Sequence, residues 1–157
     1  MKIKNETAAG GIVFRRIHGP ESRVQSPESR VSLDWLVCQH SQHKGWVFPK
    51  GLIGDINKEE KMEDAALREV EEEGGVKARI VTPQPVKAFY SYVWNDIQVD
   101  KTVYYYIMEY ISGDPKNHDW EMMDAKFVSE EEVMNMLSYP SDKQAFDTII
   151  HAFNEKH

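Results

Sequence analysis

A short glutamate-rich segment, Arg68 to Glu73, carries the residue types best suited to chemistry. In a helix of ~100° per residue, Glu72 and Glu73 fall at roughly 300° and 40° from Glu69, so the three carboxylates share one face. A methionine and two alanines from the preceding turns fall in the same sector, at positions 62, 65 and 66. Small residues allow close approach, so we expect this acidic face to lie against the rest of the protein.

Three like charges on one helix face repel each other, and the repulsion grows when water is removed. A hard cation with oxygen ligands, most commonly Mg²⁺, would offset that repulsion. Arg68 can pair with a neighbouring carboxylate and orient it. The alternative interpretation is a charged, solvated helix surface, because glutamate-rich helices are common.

The elements that must position this face can be read from the pattern. Residues 57–75 predict one helix that ends at Gly74 and Gly75. Ser129 and Glu132 form a capping-box pattern before a second helix, and Ser141 is the expected cap of a third. β-branched and aromatic residues predict strands in the segments TAAGGIVFRR, LDWLVCQH, VKARIVT, VKAFYSYVW, IQVDKTVYYYIMEYI and AKFV.

These elements predict an α/β (α+β) fold, with a mixed sheet and helices packed on its faces. Asn95-Asp96 marks a turn between two of the strands. The chain of 157 residues suits a single domain over residues 1–157. Within it, residues 20–32 repeat a Pro-Ser-Glu-Arg unit and predict an exposed loop insertion.

Composition excludes several classes of protein. The single cysteine, Cys38, allows neither an intrachain disulfide nor a thiolate zinc site, and its apolar surroundings predict a buried position. The formal net charge of −7 argues against a general nucleic-acid binder. No segment approaches the ~20 apolar residues of a membrane span. We therefore expect a cytoplasmic protein that contacts no membrane.

Spacing around the glutamates extends the pattern over residues 54–76. The stretch GDINKEEKMEDAALREVEEEGGV fits G-x(5)-E-x(7)-R-E-U-x-E-E-x-G-U, where U is a bulky aliphatic residue. This resembles the Nudix box at every specified position. The flanking segments GWVFPKG, KTVYYYIMEY and WEMMDAKFVSEEEVMNML resemble the dinucleoside-polyphosphate hydrolase branch of that family.

The resemblance implies a Nudix α/β/α sandwich that binds Mg²⁺, with Mn²⁺ as the alternative ion. Glu69, Glu72 and Glu73 match the box positions that bind the metal, and Arg68 matches the arginine that orients them. Glu60 matches the first glutamate of the box, which more often supports the ligands than binds the metal.

The resemblance leaves one metal ligand open. Gly51 and Gly54 are separate here, whereas many relatives use one glycine for both the PKG-like segment and the start of the box. We expect Gly51 to present its carbonyl to the metal, with Gly54 as the alternative. Lys50 matches a lysine that can contact substrate phosphate.

The implied activity is hydrolysis of a phosphoanhydride bond in a nucleoside polyphosphate by attack of water at phosphorus. A carboxylate takes the proton from that water. Glu72 and Glu73 are candidates for this base. Glu121, which precedes an aromatic strand as a loop glutamate often does in this branch, is a candidate for the base or for an additional metal ligand.

Aromatic residues after the box suggest a site for a nucleobase. Tyr92 lies sixteen residues beyond the box, which is similar to diadenosine polyphosphate hydrolases, and is the predicted substrate-binding tyrosine. Dinucleoside tetraphosphate-like compounds are the first choice of substrate. An RNA 5′ end, a nucleoside triphosphate, a diphosphoinositol compound and ADP-ribose are the alternatives. A non-catalytic nucleotide-binding module is the alternative of another class.

Overall fold

The computed structural model describes residues 2–17, 32–53 and 59–156. The strands are β1 (Lys2–Ile17), β2 (Ser32–His40), β3 (Trp46–Val47), β4 (Lys50–Leu52), β5 (Val76–Ile80), β6 (Val86–Trp94), β7 (Ile97–Gly113) and β8 (Met122–Ser129). The helices are α1 (Met62–Gly74), α2 (Glu130–Met136) and α3 (Pro140–Lys156).

The strands join into one mixed sheet with β1 and β7 at its centre. These two strands run parallel, from the pair Lys2–Ile97 to the pair Phe14–Glu109. β1 also pairs antiparallel with β2 and β4, and β7 pairs antiparallel with β5 and β6. β2 pairs with β8 on the side opposite β1, and with β3 beyond the residues that pair with β1. The short strand β4 therefore lies beside the centre of the sheet.

Successive residues of β1 point to opposite faces of the sheet, and each face is covered by a helix. On one face, Ala9 and Val13 pack with Ala65 and Val70 of α1. On the other face, α3 packs against a larger aromatic core, in which Trp35 and Phe146 meet edge to face at 5.1 Å. Each fully buried side chain of this kind contributes about 1.5–3 kcal/mol to stability. The predicted α/β/α sandwich is confirmed.

Several local predictions hold. Asn95 and Asp96 both have positive φ angles, 51° and 60°, as a tight turn between two antiparallel strands requires. The capping box of α2 is present, because Ser129 accepts from the Glu132 amide and Glu132 accepts from the Ser129 amide. Cys38 is fully buried.

Two helix boundaries were predicted wrongly. Helix α1 begins at Met62 and not at residue 57, so Glu60 lies before the helix. Helix α3 begins at Pro140, so Ser141 lies inside it and is not its cap. Proline suits a first helical position because its missing N–H has no intrahelical partner there.

The first strand begins at Lys2, earlier than the pattern indicated, because its first residues continue the parallel ladder with β7. Gly54 and the predicted insertion at 20–32 lie outside the described residues, except that Ser32 begins β2. Within the described ranges, no helix combines the length and the apolar run needed to cross a bilayer.

Candidate active site

The acidic face of α1 is turned inward, as the spacing predicted. Glu69 and Glu73 are each only 5% exposed, whereas the neighbouring Glu71 is exposed to solvent. The side chain of Glu72 is 40% exposed and lies at the edge of the same face. Buried glutamates are rare unless they are paired or bind a cation.

Arg68 ties these acids together. Its Nε and Nη2 donate to the two oxygens of Glu60, at 2.8 and 3.1 Å, in a bidentate pair. Its Nη1 donates to Glu69 at 2.7 Å and to Glu72 at 3.0 Å. A planar guanidinium fixes the orientation of carboxylates in this way. Arg68 therefore positions two of the predicted metal ligands.

Glu73 is held from the other side by strand β4. The Lys50 amide donates to Glu73 Oε1 at 3.1 Å. Burial raises the pKa of Glu73 to about 9, with the charges of Glu69 and Glu121 adding to the effect and the Lys50 amide opposing it. Burial likewise raises the pKa of Glu69 to about 7, and Arg68 opposes that shift. Both carboxylates would be stabilised in their charged form by a nearby cation.

Gly51 lies directly against the acidic face. A Cβ atom at this position would overlap the carboxylate of Glu69, so a residue with a side chain would push that carboxylate away. The close approach brings the β4 backbone to the predicted metal ligands, which agrees with a role for Gly51 in presenting its carbonyl. Oxygen atoms from the carboxylates and from backbone form the donor set that Mg²⁺ and Mn²⁺ prefer.

The residues present fit a divalent ion in kind, although the carboxylates are not yet arranged around one point. Among the described residues, no three His, Cys, Asp or Glu side chains stand ready as an ion cage. Arg68 holds one oxygen of Glu69 and one of Glu72, and the Lys50 amide holds one oxygen of Glu73. Each carboxylate has a second oxygen that these donors do not engage, so it would bind an ion while it keeps its hydrogen bond.

Glu121 reaches the same cluster from the loop between β7 and β8. Its amide donates to Asp119 Oδ1 at 3.1 Å, and the Asp119 amide donates to the carbonyl of Glu72 at 2.8 Å. The Glu121 carbonyl accepts from the Ser41 amide at 2.9 Å. The charge of Glu121 contributes to the raised pKa of both Glu69 and Glu73. The loop is thus anchored to α1, which explains how a distant residue joins the acids.

The acids open onto a cavity of 1360 Å³. Lys50 and Gly51 lie beside the acids, and Tyr90 and Tyr92 lie on a wall formed by β6. The two tyrosine rings stack with their centroids 6.1 Å apart. The structure therefore brings the residues that the sequence singled out around one space, apart from Glu60, which contacts Arg68 without lining the cavity, and Gly54.

Comparison with known proteins identifies the family of the chain. The family model described as "NUDIX domain" matches residues 26–149. The chain belongs to the Nudix hydrolase family. The protein named MutT4 from Mycobacterium tuberculosis is similar to this Nudix chain, with 29% identity over 145 residues. That match covers 92% of this chain but 54% of MutT4, so the chain spans about half the length of that curated relative.

Solved structures share the Nudix fold. An Ap4A hydrolase from C. elegans, in a binary complex, superposes with a TM-score of 0.66 at 19% identity, covering 97% of this chain and 99% of that one. A MutT protein from Methanosarcina mazei superposes with a TM-score of 0.62 at 16% identity, covering 97% of each chain. The NUDIX domain of NrtR from Shewanella oneidensis, complexed with ADP ribose, gives 0.56 at 17%, covering 98% and 89%.

Sequence reasoning missed several residues that line the cavity of this Nudix domain. His40 and His43 stack at 4.2 Å, and Tyr139 contacts His43 through a hydrogen bond of 3.1 Å. Asp142 lines the cavity as well and is buried. In the sequence, Asp142 stands out only as an acid at the start of an amphipathic helix. That signal is weak, because acids are common in the first turn of any helix.

Proposed function

We propose that the protein is a divalent-metal-dependent hydrolase that cuts phosphoanhydride bonds in nucleoside polyphosphates, with dinucleoside tetraphosphate-like compounds as preferred substrates. The observation that carries this proposal is that Glu69, Glu72, Glu73 and Glu121 line the same cavity as the stacked rings of Tyr90 and Tyr92. Acids alone would suit a cation site of any kind. Acids that share a cavity with a stacking surface suit a phosphate chain that ends in a base.

Different residues of the chain have different roles in the proposed reaction. Glu69, Glu72, Glu73 and the Gly51 backbone hold Mg²⁺ or Mn²⁺, and Arg68 orients the first two. When bound, the metal neutralises phosphate charge and lowers the pKa of water. Lys50 lines the same cavity, and its ammonium group would bind a phosphate oxygen.

Glu121 is the general base that we favour. Arg68 and the Lys50 amide engage the three α1 glutamates. Within the described part of the chain, neither of them hydrogen-bonds to the Glu121 carboxylate, so its oxygens remain open to accept a proton from the attacking water. Glu72 and Glu73 are the alternative bases. Glu121→Gln should leave folding intact and lower turnover strongly, and near-normal turnover would refute the role.

The volume of the cavity suits a large substrate. Typical small-molecule sites measure roughly 300–1,000 Å³, and this cavity of 1360 Å³ exceeds that range. Tyr92 is 42% exposed, so its ring can stack on a base. The fold shared with an Ap4A hydrolase agrees with this choice of substrate.

The cytoplasmic location stays a prediction from the sequence.

The test is a panel of diadenosine polyphosphates, nucleoside triphosphates, ADP-ribose and 5′-triphosphorylated RNA, each incubated with Mg²⁺ and with EDTA. Chromatography identifies the products. We expect Mg²⁺-dependent formation of ATP and AMP from diadenosine tetraphosphate. Preference for another member of the panel would replace the substrate class. Nucleotide binding without turnover of any member would favour the non-catalytic module.

A further inference from the structure

Asp142 is a buried carboxylate that the proposed hydrolysis does not use. It lies in the first turn of α3 and is only 3% exposed. Its Oδ1 accepts a hydrogen bond from the Tyr105 hydroxyl at 2.7 Å. An acid in the first turn stabilises a helix from an exposed position equally well, so the helix does not require this burial. Removing a carboxylate from water is unfavourable, which calls for a further reason.

The second oxygen of Asp142 faces the cavity. Among the described residues, Tyr105 alone hydrogen-bonds to this side chain, and it does so through Oδ1. None of the described side chains keeps a fully buried nitrogen or oxygen atom without a partner. Oδ2 therefore retains access to the cavity, which Asp142 helps to line. It presents a hydrogen-bond acceptor to whatever occupies that space.

The stacking wall lies next to this acceptor. Tyr90 lines the same cavity, and burial followed by the charge of Asp142 raises the pKa of its hydroxyl. The stacked rings of Tyr90 and Tyr92 offer the face on which a base would lie. A base on this wall would turn one edge toward Asp142. The cavity thus combines a stacking surface, which accepts any base, with one group, Asp142, that can distinguish bases by the hydrogen-bonding groups on their edge.

We propose that Asp142 determines base specificity by accepting, through Oδ2, a hydrogen bond from the exocyclic amine of a 6-aminopurine nucleotide. The proposal rests on the proposed function insofar as the cavity takes a nucleotide. Gaining or losing one such hydrogen bond is expected to change the affinity by about tenfold or more. Hypoxanthine carries a carbonyl oxygen at the same position, so two acceptors would face each other and this nucleotide would bind more weakly.

Tyr105 makes the effect of substitution predictable. Because its hydroxyl donates to Oδ1, an amide at position 142 is expected to keep its carbonyl oxygen toward Tyr105. The amide NH₂ then faces the cavity as a donor. Asp142→Asn should therefore invert the preference, losing the amine of adenine and gaining the carbonyl oxygen of hypoxanthine.

The test is calorimetric titration of the full chain with AMP, IMP and purine riboside 5′-monophosphate, which lacks any group at the 6 position. The unsubstituted protein should bind AMP at least about tenfold more tightly than either of the others. Asp142→Asn should bind IMP more tightly than AMP. Asp147→Asn, an exposed acid on the same helix, is the matched control and should leave all three dissociation constants unchanged.

The inference is overturned if the unsubstituted protein binds the three nucleotides equally, a result that needs no variant to fold. It is also overturned if Asp142→Asn weakens all three by the same factor, since a purely structural role would act in that way. Failure of the hydrolysis panel with selective AMP binding would reject the proposed function and leave this inference standing. Hydrolysis of the panel without a preference among the three purine nucleotides would support the proposed function and reject this inference.

Discussion

Arg68 and Glu60 form a bidentate pair at 2.8 and 3.1 Å, although eight positions separate them and Glu60 precedes the helix that carries Arg68. The pair leaves one guanidinium nitrogen, Nη1, to hold Glu69 and Glu72 together. Glu60 therefore acts on the metal ligands through Arg68.

Replacing Glu60 should weaken metal binding without removing a ligand. Glu60→Gln loses the charge that anchors Arg68, so the orientation of Glu69 and Glu72 becomes less defined. Loss of such a supporting residue typically lowers metal affinity or activity by about 10–100-fold. Titration of turnover with Mg²⁺ should reveal a higher half-saturating concentration. Unchanged Mg²⁺ dependence would show that Arg68 keeps its place without Glu60.

The raised pKa of Glu73 predicts how stability depends on pH when divalent ions are absent. The folded carboxyl keeps its proton up to about pH 9, whereas the unfolded one, with a pKa of 4.5, releases it. The folded state thus binds more protons between these values, and the free energy of unfolding should fall as pH rises through the window. One such group lowers it by at most about 1.4 kcal/mol per pH unit.

Thermal unfolding in EDTA from pH 5 to 9 measures this dependence. Glu73→Gln should reduce the dependence most clearly between pH 7 and 9, because glutamine does not titrate and Glu69, with a pKa of about 7, contributes mainly below pH 7. Adding Mg²⁺ should raise Tm more at pH 9 than at pH 5, since the ion competes with the proton for the same carboxylates. A Tm that rises steadily toward pH 9 in EDTA would contradict the burial of a neutral Glu73.

A side chain at Gly51 should disturb Glu69 specifically. The backbone of Gly51 needs no positive φ, so alanine is compatible with the strand, but its Cβ would overlap the Glu69 carboxylate. Gly51→Ala should therefore lower turnover and Mg²⁺ affinity by about tenfold or more, with a folded protein by circular dichroism. The same overlap should lower the Tm of Gly51→Ala. Adding Glu69→Asp, which shortens the acid, should recover part of that loss. If Tm does not recover, the destabilisation does not arise from the overlap with Glu69.

Asp119 should matter for turnover although it is not proposed to touch the substrate. It joins Glu121 to the carbonyl of Glu72 through two hydrogen bonds. Asp119→Ala should lower kcat by about tenfold or more with KM little changed, because Glu121 loses its position. Asp119→Asn keeps an acceptor oxygen and should recover most of the loss. Equal losses in the two variants would indicate a role for the charge.

The sequence predicted the acidic face because spacing within one helix determines which side chains share a face. It predicted the turn at Asn95 and Asp96 because few residues tolerate positive φ. It misplaced the start of α1, since acidic and lysine residues favour a helix whether or not one forms there. The placement of Glu60 then depended on a tertiary contact with Arg68, which helical geometry could not reveal.

The burial of Asp142 could not be predicted from the sequence. Its burial arises from packing of α3 on the sheet, and its partner Tyr105 lies 37 residues away on β7. Neither the helix pattern nor the strand pattern distinguishes it from an exposed acid such as Asp147. Tertiary packing alone separates the two positions.

The inward face of α1 is expected to perform the chemistry, and its outward face is not. The most direct measurement is kcat for diadenosine tetraphosphate at saturating Mg²⁺ for Glu72→Gln and for Glu71→Gln, which make the same change at adjacent positions of one helix. Loss of a positioned catalytic carboxylate should lower kcat by roughly 100-fold or more in Glu72→Gln. Glu71 is exposed, so its variant should match the unsubstituted protein. Equal activity in the two variants would contradict the account.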